Sequence, residues 1–390
     1  MEAVFIVSAV RTPVGKKGGY LRNWTTPELL GAVLDKVVDR IDLDPSMVDD
    51  VVNGTVYQVG EQGFTLGRMG VFASKFPITV PGMSLNRQCG SSLSAIQLAT
   101  GMIATGTMDI IIASGSEMLS RYPINSDLNG TLFDGRPMGH PFGEWFTRKY
   151  VPLDQMRSAQ EIADHWGITK EECQAFAVKS HQSAHNATIK GYFRNEIMPV
   201  KGLDKAGNEI VMTDDECIRP GTTMEALDKL PVLPNTKFMT AGLSSTITDG
   251  ASAVVLMSER KMKELNLKPL ARVVASAVVG SDPRLMLTGP IYATPKVLKK
   301  AGLSMDDIDI FEINEAFCPI PLAWAKELRA DESKLNVNGG ATALGHPVGN
   351  SGCRLTVTAI NELRRRGARY ALVSLCTGGG MAPATIFERV

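Results

Sequence analysis

The chain carries one short pattern twice. Asp109-Ile110-Ile111-Ile112-Ala113-Ser114-Gly115 is answered near the other end by Tyr370-Ala371-Leu372-Val373-Ser374-Leu375-Cys376. In both places a glycine-bearing loop leads into an apolar helical stretch and then into this strand. Strands buried on both faces read as continuous apolar runs, and strands alternating with helices specify an α/β fold. The repetition predicts an internal duplication, with copies of about 120 residues, near the usual domain size. At roughly 150 residues per domain, a chain of 390 residues has room for both copies and a third piece.

The coarse pattern fits that division. Val4–Val10 and Asp50–Val56 read as strands, with a helix over Thr26–Ile41 whose Leu29, Leu30, Val33, Leu34, Val37 and Val38 share a face. Leu93–Thr105 reads as a buried helix and Met108–Gly115 as a strand. The later half repeats the order: strand Ala271–Val279, helix Thr294–Ala301, strand Ile308–Ile313, a helix holding Leu322–Leu328, helix Cys353–Arg365, strand Tyr370–Leu375 and a closing segment Ala382–Glu388. Residues 120–249 differ, being richer in Pro, Gly, Asp and aromatics, with one helical region around Ala159–Ile189. A segment this long is expected to be a functional insertion. The expected domains are 1–119 plus 250–270, an inserted loop domain 120–249, and 271–390.

Composition excludes several function classes. Lys plus Arg and Asp plus Glu both total 41, so the formal charge is zero, and no overall field draws the chain to nucleic acid or an anionic membrane. Charged residues at 21% and hydrophobic residues at 44% are those of a globular protein. No apolar run approaches the 18 or so residues that cross a bilayer. The apolar opening precedes Arg11, Lys16 and Lys17 instead of following basic residues, unlike a signal peptide, and Glu388-Arg389-Val390 is not a peroxisomal address. The six cysteines are scattered, without C-x-x-C spacing, which points to a reducing compartment and a cytoplasmic location. His181 and His185 are four apart, but Gln182 stands where a zincin has Glu. The pair is therefore read as a solvated helix face, and no metal site is expected.

Four motifs carry chemistry. In Asn86-Arg87-Gln88-Cys89-Gly90-Ser91-Ser92 a cysteine lies at the start of the 93–105 helix, where the positive end of the helix dipole is expected to favour thiolate. Asn336 to Gly352 gathers five glycines around His346, a base suited to a thiol near neutral pH. Its spacing is neither G-x-G-x-x-G nor a P-loop, and a nucleotide-dependent oxidoreductase is disfavoured. Leu375-Cys376-Thr377-Gly378-Gly379-Gly380 sets a second thiol before glycines whose N–H groups can serve an oxyanion. Asn314-Glu315-Ala316-Phe317 ends a strand with a neutral polar group suited to holding an oxygen.

Together with Val10-Arg11-Thr12-Pro13-Val14-Gly15, Thr240 to Ser245 and Asp249-Gly250-Ala251, these motifs resemble the thiolase family over nearly the whole chain. Gly345-His346-Pro347 is the most specific; related fatty-acid condensing enzymes place Thr after Gly-His and pair one Cys with His-His or His-Asn. The resemblance implies duplicated βαβαβ halves in an α/β/α/β/α sandwich with a long inserted loop domain. It implies that Cys89 is acylated, that His346 activates it, and that Cys376 is the acid/base at the acetyl α-carbon. Asn314 would hold a water that helps His346 stabilise an enolate oxygen, and the N–H groups of Cys89 and Gly378 would form a second oxyanion hole. Ser245 matches a position contacting pantetheine, and Arg219 one near the CoA nucleotide. Coenzyme A is expected as co-substrate with acyl-CoA, with no permanently bound cofactor, and the assembly as a homodimer or homotetramer.

Many acetoacetyl-CoA thiolases carry His before Met near the start of the insertion's helix. Here Asp154-Gln155-Met156-Arg157 has Gln155, closer to degradative thiolases, including those for bulky or steroid side-chain substrates. The expected reaction is thiolytic cleavage of 3-ketoacyl-CoA, with biosynthetic acetoacetyl-CoA formation or a silent lipid carrier as alternatives. The aromatics of Gly139 to Tyr150 are expected to line an acyl tunnel, or else to form a subunit interface or the loop's own small core.

Overall fold

A computed structural model describes residues 2–128, 130–132 and 134–390. The main strands are β1 (Val4–Arg11), β2 (Asp50–Gly54), β3 (Met83–Leu85), β4 (Ile110–Met118), β5 (Thr248–Ser258), β6 (Ala271–Gly280), β7 (Ile310–Ile313), β8 (Tyr370–Ser374) and β9 (Met381–Glu388). The main helices are α1 (Thr26–Asp39), α2 (Ser91–Ala104), α3 (Gln155–His165), α4 (Lys170–Ile189), α5 (Gly289–Ala301), α6 (Pro319–Leu328) and α7 (Ser351–Arg366). The sheet runs β7-β8-β9-β6-β1-β5-β4-β2-β3, with Gly15–Lys16 paired beside β5.

The strand directions carry the duplication. In the first half β2 is parallel to β4, β4 antiparallel to β5, and β5 antiparallel to β1. In the second, β7 is parallel to β8, β8 antiparallel to β9, and β9 antiparallel to β6. The halves join where β1 meets β6, with Phe5 opposite Arg272 and Ile6 opposite Ala271.

Side-chain alternation builds the layers. Ile110 and Ile112 of β4 join the outer core under α1, whereas Ile111 faces the central core with Leu93, Ile96 and Ile103 of α2. In β8, Ala371 and Val373 face that central core with Leu355, Ile360 and Leu363 of α7, and Leu372 faces the outer core with Val297 of α5 and Trp324 of α6. The order is therefore helix, sheet, paired central helices, sheet, helix. α1 starts at a capping box between Thr25 and Glu28 and buries all six aliphatics of its apolar face, each worth roughly 1.5–3 kcal/mol.

The structure departs from the sequence reading in several elements. The helical region around 159–189 is two helices, because Gly167 takes φ +58° and Thr169 caps α4. α5 begins at Gly289 instead of Thr294, since Pro290 and Pro295 disguise its first turns. β5 is a fully buried strand whose opening Asp249-Gly250 looks like a turn. Among the described residues no helix is long and apolar enough to cross a membrane.

Candidate active site

Cys89 sits on a tight turn between β3 and α2. Gln88 takes φ +51°, a left-handed conformation uncommon outside glycine and frequent at functional sites. The turn is held by Gln88 N–H to Asn86 Oδ1 at 2.8 Å, Arg87 N–H to Ser91 Oγ at 2.9 Å, and Ser91 Oγ–H to the Gln88 carbonyl at 2.6 Å. Gly90 caps α2. A Cβ on Gly90 would lie 2.7 Å from Pro383 and 2.9 Å from Thr377, so a side chain there would push the second half's loop off the nucleophile turn.

That loop brings Cys376, Thr377 and Gly378 to Cys89. The backbone N–H groups of Gly378 and of Cys89 itself act to lower the pKa of the Cys89 thiol. Cys376 is fully buried and close enough to Cys89 for charge on one thiol to raise the pKa of the other, on top of the larger effect of burial. His346 follows Leu344-Gly345, and its N–H bonds the Thr246 carbonyl at 3.1 Å, tying it to the segment just before β5. Asn314, at the end of β7, places Nδ2 3.4 Å from His346 Nε2. Its Oδ1 is buried with no hydrogen-bond partner among the described residues. Four segments from both halves thus converge. Sequence reasoning missed Ser351, whose Oγ lies 2.5 Å from His346 Nδ1; its position five residues after the histidine, in the first turn of α7, is the signal for it.

The electrostatics correct one expectation. Cys89 lies two residues before α2, with Gly90 as the cap between, and burial pushes its thiol up to about 11, although both N–H donors pull it down. Burial, and then the charge of Arg354, takes His346 down to about 3. The resting pair is a neutral thiol and a neutral imidazole.

A cavity of about 120 Å³ opens over Cys89 and His346. Its walls are Val56, Tyr57, Leu119, Ile124, Phe317 and Val348, and its polar edge is Gln88, Gln155 and Ser244 to Thr246. Ser245 is therefore in the site. Arg219 is exposed and lies outside this lining; its backbone N–H bonds His181 Nδ1 at 3.1 Å. His181 itself is buried, which lowers its pKa to about 4, so it does not belong to a solvated face. The 139–150 aromatics do not line the cavity. Phe142, Trp145 and Tyr150 each pack on Phe146 at ring-centre distances of 5.1–5.6 Å, making the loop's own small cluster.

Residues 4–260 match the family model described as thiolase, N-terminal domain, and 267–389 the thiolase, C-terminal domain. The chain is 41% identical over 392 residues to the steroid 3-ketoacyl-CoA thiolase FadA6 of Mycobacterium tuberculosis, covering 100% of this chain and 95% of that protein. It superposes on human mitochondrial 3-ketoacyl-CoA thiolase with a TM-score of 0.91 at 36% identity, covering 100% and 99% of the two chains. The same human enzyme in complex with CoA gives 0.88 at 35% identity, covering 100% and 98%. The Bacillus anthracis acetyl-CoA acetyltransferase gives 0.91 at 37% identity, covering 100% and 99%. Both halves of the duplicated fold, and the motifs that meet between them, make this chain a member of the thiolase family, an acyltransferase.

Proposed function

We propose that this thiolase cleaves 3-ketoacyl-CoA with coenzyme A, giving acetyl-CoA and a shortened acyl-CoA. The carrying observation is one cavity lined by both Cys89 and His346, with apolar walls and a polar edge at Ser244 to Thr246. His346 Nε2 takes the Cys89 proton, and the sulfur attacks the 3-keto carbon. The tetrahedral intermediate collapses, the C2–C3 bond breaks, and acetyl-CoA leaves as its enolate. Imidazolium Nε2–H and a water on Asn314 stabilise the enolate oxygen, and Cys376 protonates C2. The CoA thiol, giving its proton to the Cys376 thiolate, then attacks the acyl-Cys89 carbonyl, whose oxygen rests on the Cys89 and Gly378 N–H groups. The departing Cys89 thiolate recovers its proton from His346.

The parts divide as 1–119 plus 250–270 for the nucleophile, 120–249 for CoA and acyl binding, and 271–390 for His346 and Cys376. Ser245 lies at the cavity edge where pantetheine would enter, and exposed Arg219 suits the nucleotide phosphates. The enzyme holds no permanent cofactor and works in the cytoplasm as a homodimer or homotetramer. Exposed Phe64 (87%) and Ile78 (76%), and the edge strand β3, are surfaces that a second copy would cover.

Biosynthetic condensation is the second reading, favoured by the likeness to the acetyl-CoA acetyltransferase. Gln155 at the cavity edge supports the degradative one. Thiolysis rates from acetoacetyl-CoA to long and ring-bearing 3-ketoacyl-CoA test the choice. Each further buried methylene is expected to raise kcat/KM by up to about fourfold. A preference for acetoacetyl-CoA would overturn the degradative reading.

A further inference from the structure

Glu117 takes no part in the chemistry above, yet the walls of the site are tied to it. It is fully buried near the end of β4. Oε2 accepts the N–H groups of Val56 at 2.8 Å and Gly349 at 3.0 Å. Oε1 accepts Gln62 Nε2–H at 2.7 Å, Tyr57 N–H at 3.3 Å and the Thr55 hydroxyl at 3.4 Å. All five partners donate, so both oxygens must accept, as an ionised carboxylate does. Burial pushes the group up to about 6 while these donors pull it back.

The partners belong to different halves. Val56 and Tyr57 are cavity walls in the first half. Gly349 is in the second, one residue past the wall residue Val348 and three past His346. The Gly349 carbonyl in turn accepts Ser92 N–H at 3.2 Å, in the first turn of the helix that follows Cys89. One carboxylate therefore links the acyl wall, the histidine loop and, through Gly349, the nucleophile helix. Gly349 has no room to drift inward: a Cβ there would lie 2.5 Å from Glu117 Oε2 and 2.6 Å from Thr55 Cα.

We propose that Glu117 is the positioning residue that sets His346 against Cys89 across the junction of the two halves. The proposal rests on reading those two residues as base and nucleophile. A neutral isostere cannot take its place. A glutamine would turn its NH₂ toward N–H donors at one oxygen position or the other, opening one side of the clamp.

The test uses full-length wild type, E117Q, E117D and G349A, with circular dichroism to establish folding. Steady-state thiolysis and single-turnover acylation of Cys89, read by mass spectrometry, are then compared. E117Q is expected to lose about 100-fold in kcat, the scale of a displacement near 1 Å, with KM for both substrates within about threefold. Acylation slows in parallel. E117D, which keeps the charge and both acceptor oxygens, retains more kcat than E117Q, a rescue that bulk packing alone does not predict. Folded E117Q within about threefold of wild-type kcat overturns the proposal, as does E117D falling below E117Q. Should E117Q fail to fold, G349A decides: a folded G349A with wild-type turnover overturns it, and a kcat loss at unchanged KM supports it. A wild type that never acylates Cys89 removes the nucleophile reading itself, an outcome distinct from the failure of Glu117 alone.

Discussion

His346 Nδ1 lies 2.5 Å from Ser351 Oγ, and Ser351 Oγ lies 3.1 Å from the Pro347 carbonyl. The hydroxyl has one hydrogen, and the carbonyl can only accept it. The oxygen then accepts from Nδ1–H, so the imidazole keeps its second proton on Nδ1 and offers the Nε2 lone pair to the site. Ser351 fixes both the tautomer and the ring's orientation. Ser351→Ala is therefore expected to lower kcat about 10–100-fold with little change in KM. Wild-type kcat in the folded variant would show that the tautomer needs no help.

The neutral resting pair has its own signature. With burial holding the Cys89 thiol at about 11, the thiolate fraction at pH 7 is on the order of 10⁻⁴. Alkylation of Cys89 by iodoacetamide in the free enzyme should accelerate roughly tenfold per pH unit from 7 to 10. A rate that levels off below pH 8 would mean that the thiolate is already formed at rest.

This second expectation reverses what the sequence suggests, and the reason is local. The order of residues shows that Cys89 precedes a helix; it does not show that Gly90 takes the cap or that the sulfur lies under the second half's loop. Contacts between distant segments are where sequence reading ran short. The duplication was legible because Ile110-Ile111-Ile112 and Ala371-Leu372-Val373 divide their side chains between layers by simple alternation. Cys89 and His346 were legible from their glycine and small-residue settings, Ser245 only through the family resemblance, and all three line one cavity. Ser351 and Glu117 were not, since each looks like an ordinary residue of a helix or strand until its partners are seen. The 139–150 aromatics misled in the opposite sense, because clustering in sequence says nothing of whether rings face a cavity or each other.

Cys376 divides the two half-reactions. Transfer of an acetyl group from acetyl-CoA to Cys89 asks Cys376 only for a proton to a departing CoA thiolate, a good leaving group without it, whereas condensation requires Cys376 to take a proton from an α-carbon of the second acetyl-CoA. Cys376→Ser should keep acylation of Cys89 within about tenfold of wild type and lose condensation by at least about 100-fold. Single-turnover labelling beside the condensation rate measures both, and equal losses would remove Cys376 from the α-carbon step.

Arg11 joins three parts of the chain from a fully buried position. Its Nε bonds Glu196 at 2.6 Å, and its two terminal nitrogens bond Asp215 at 2.7 and 2.9 Å. Glu196 also accepts the Thr358 hydroxyl of α7 at 2.9 Å, and Asp215 the Val14 N–H at 2.7 Å. Removing the guanidinium leaves two buried carboxylates without their cation, so Arg11→Ala should cost about 3–5 kcal/mol in urea unfolding at pH 7. Arg11→Lys should recover little of it, because one ammonium cannot fork to both acids. The deficit also has a pH sign. In the folded wild type burial already raises Glu196, with Arg11 opposing it, so losing Arg11 raises it further. Stability tied to a raised carboxyl is present at low pH and lost as pH rises through its folded value. The gap between wild type and Arg11→Ala should therefore narrow from pH 7 to pH 5. A gap below about 1 kcal/mol at pH 7, or one that widens on acidification, would show that these carboxylates do not depend on Arg11.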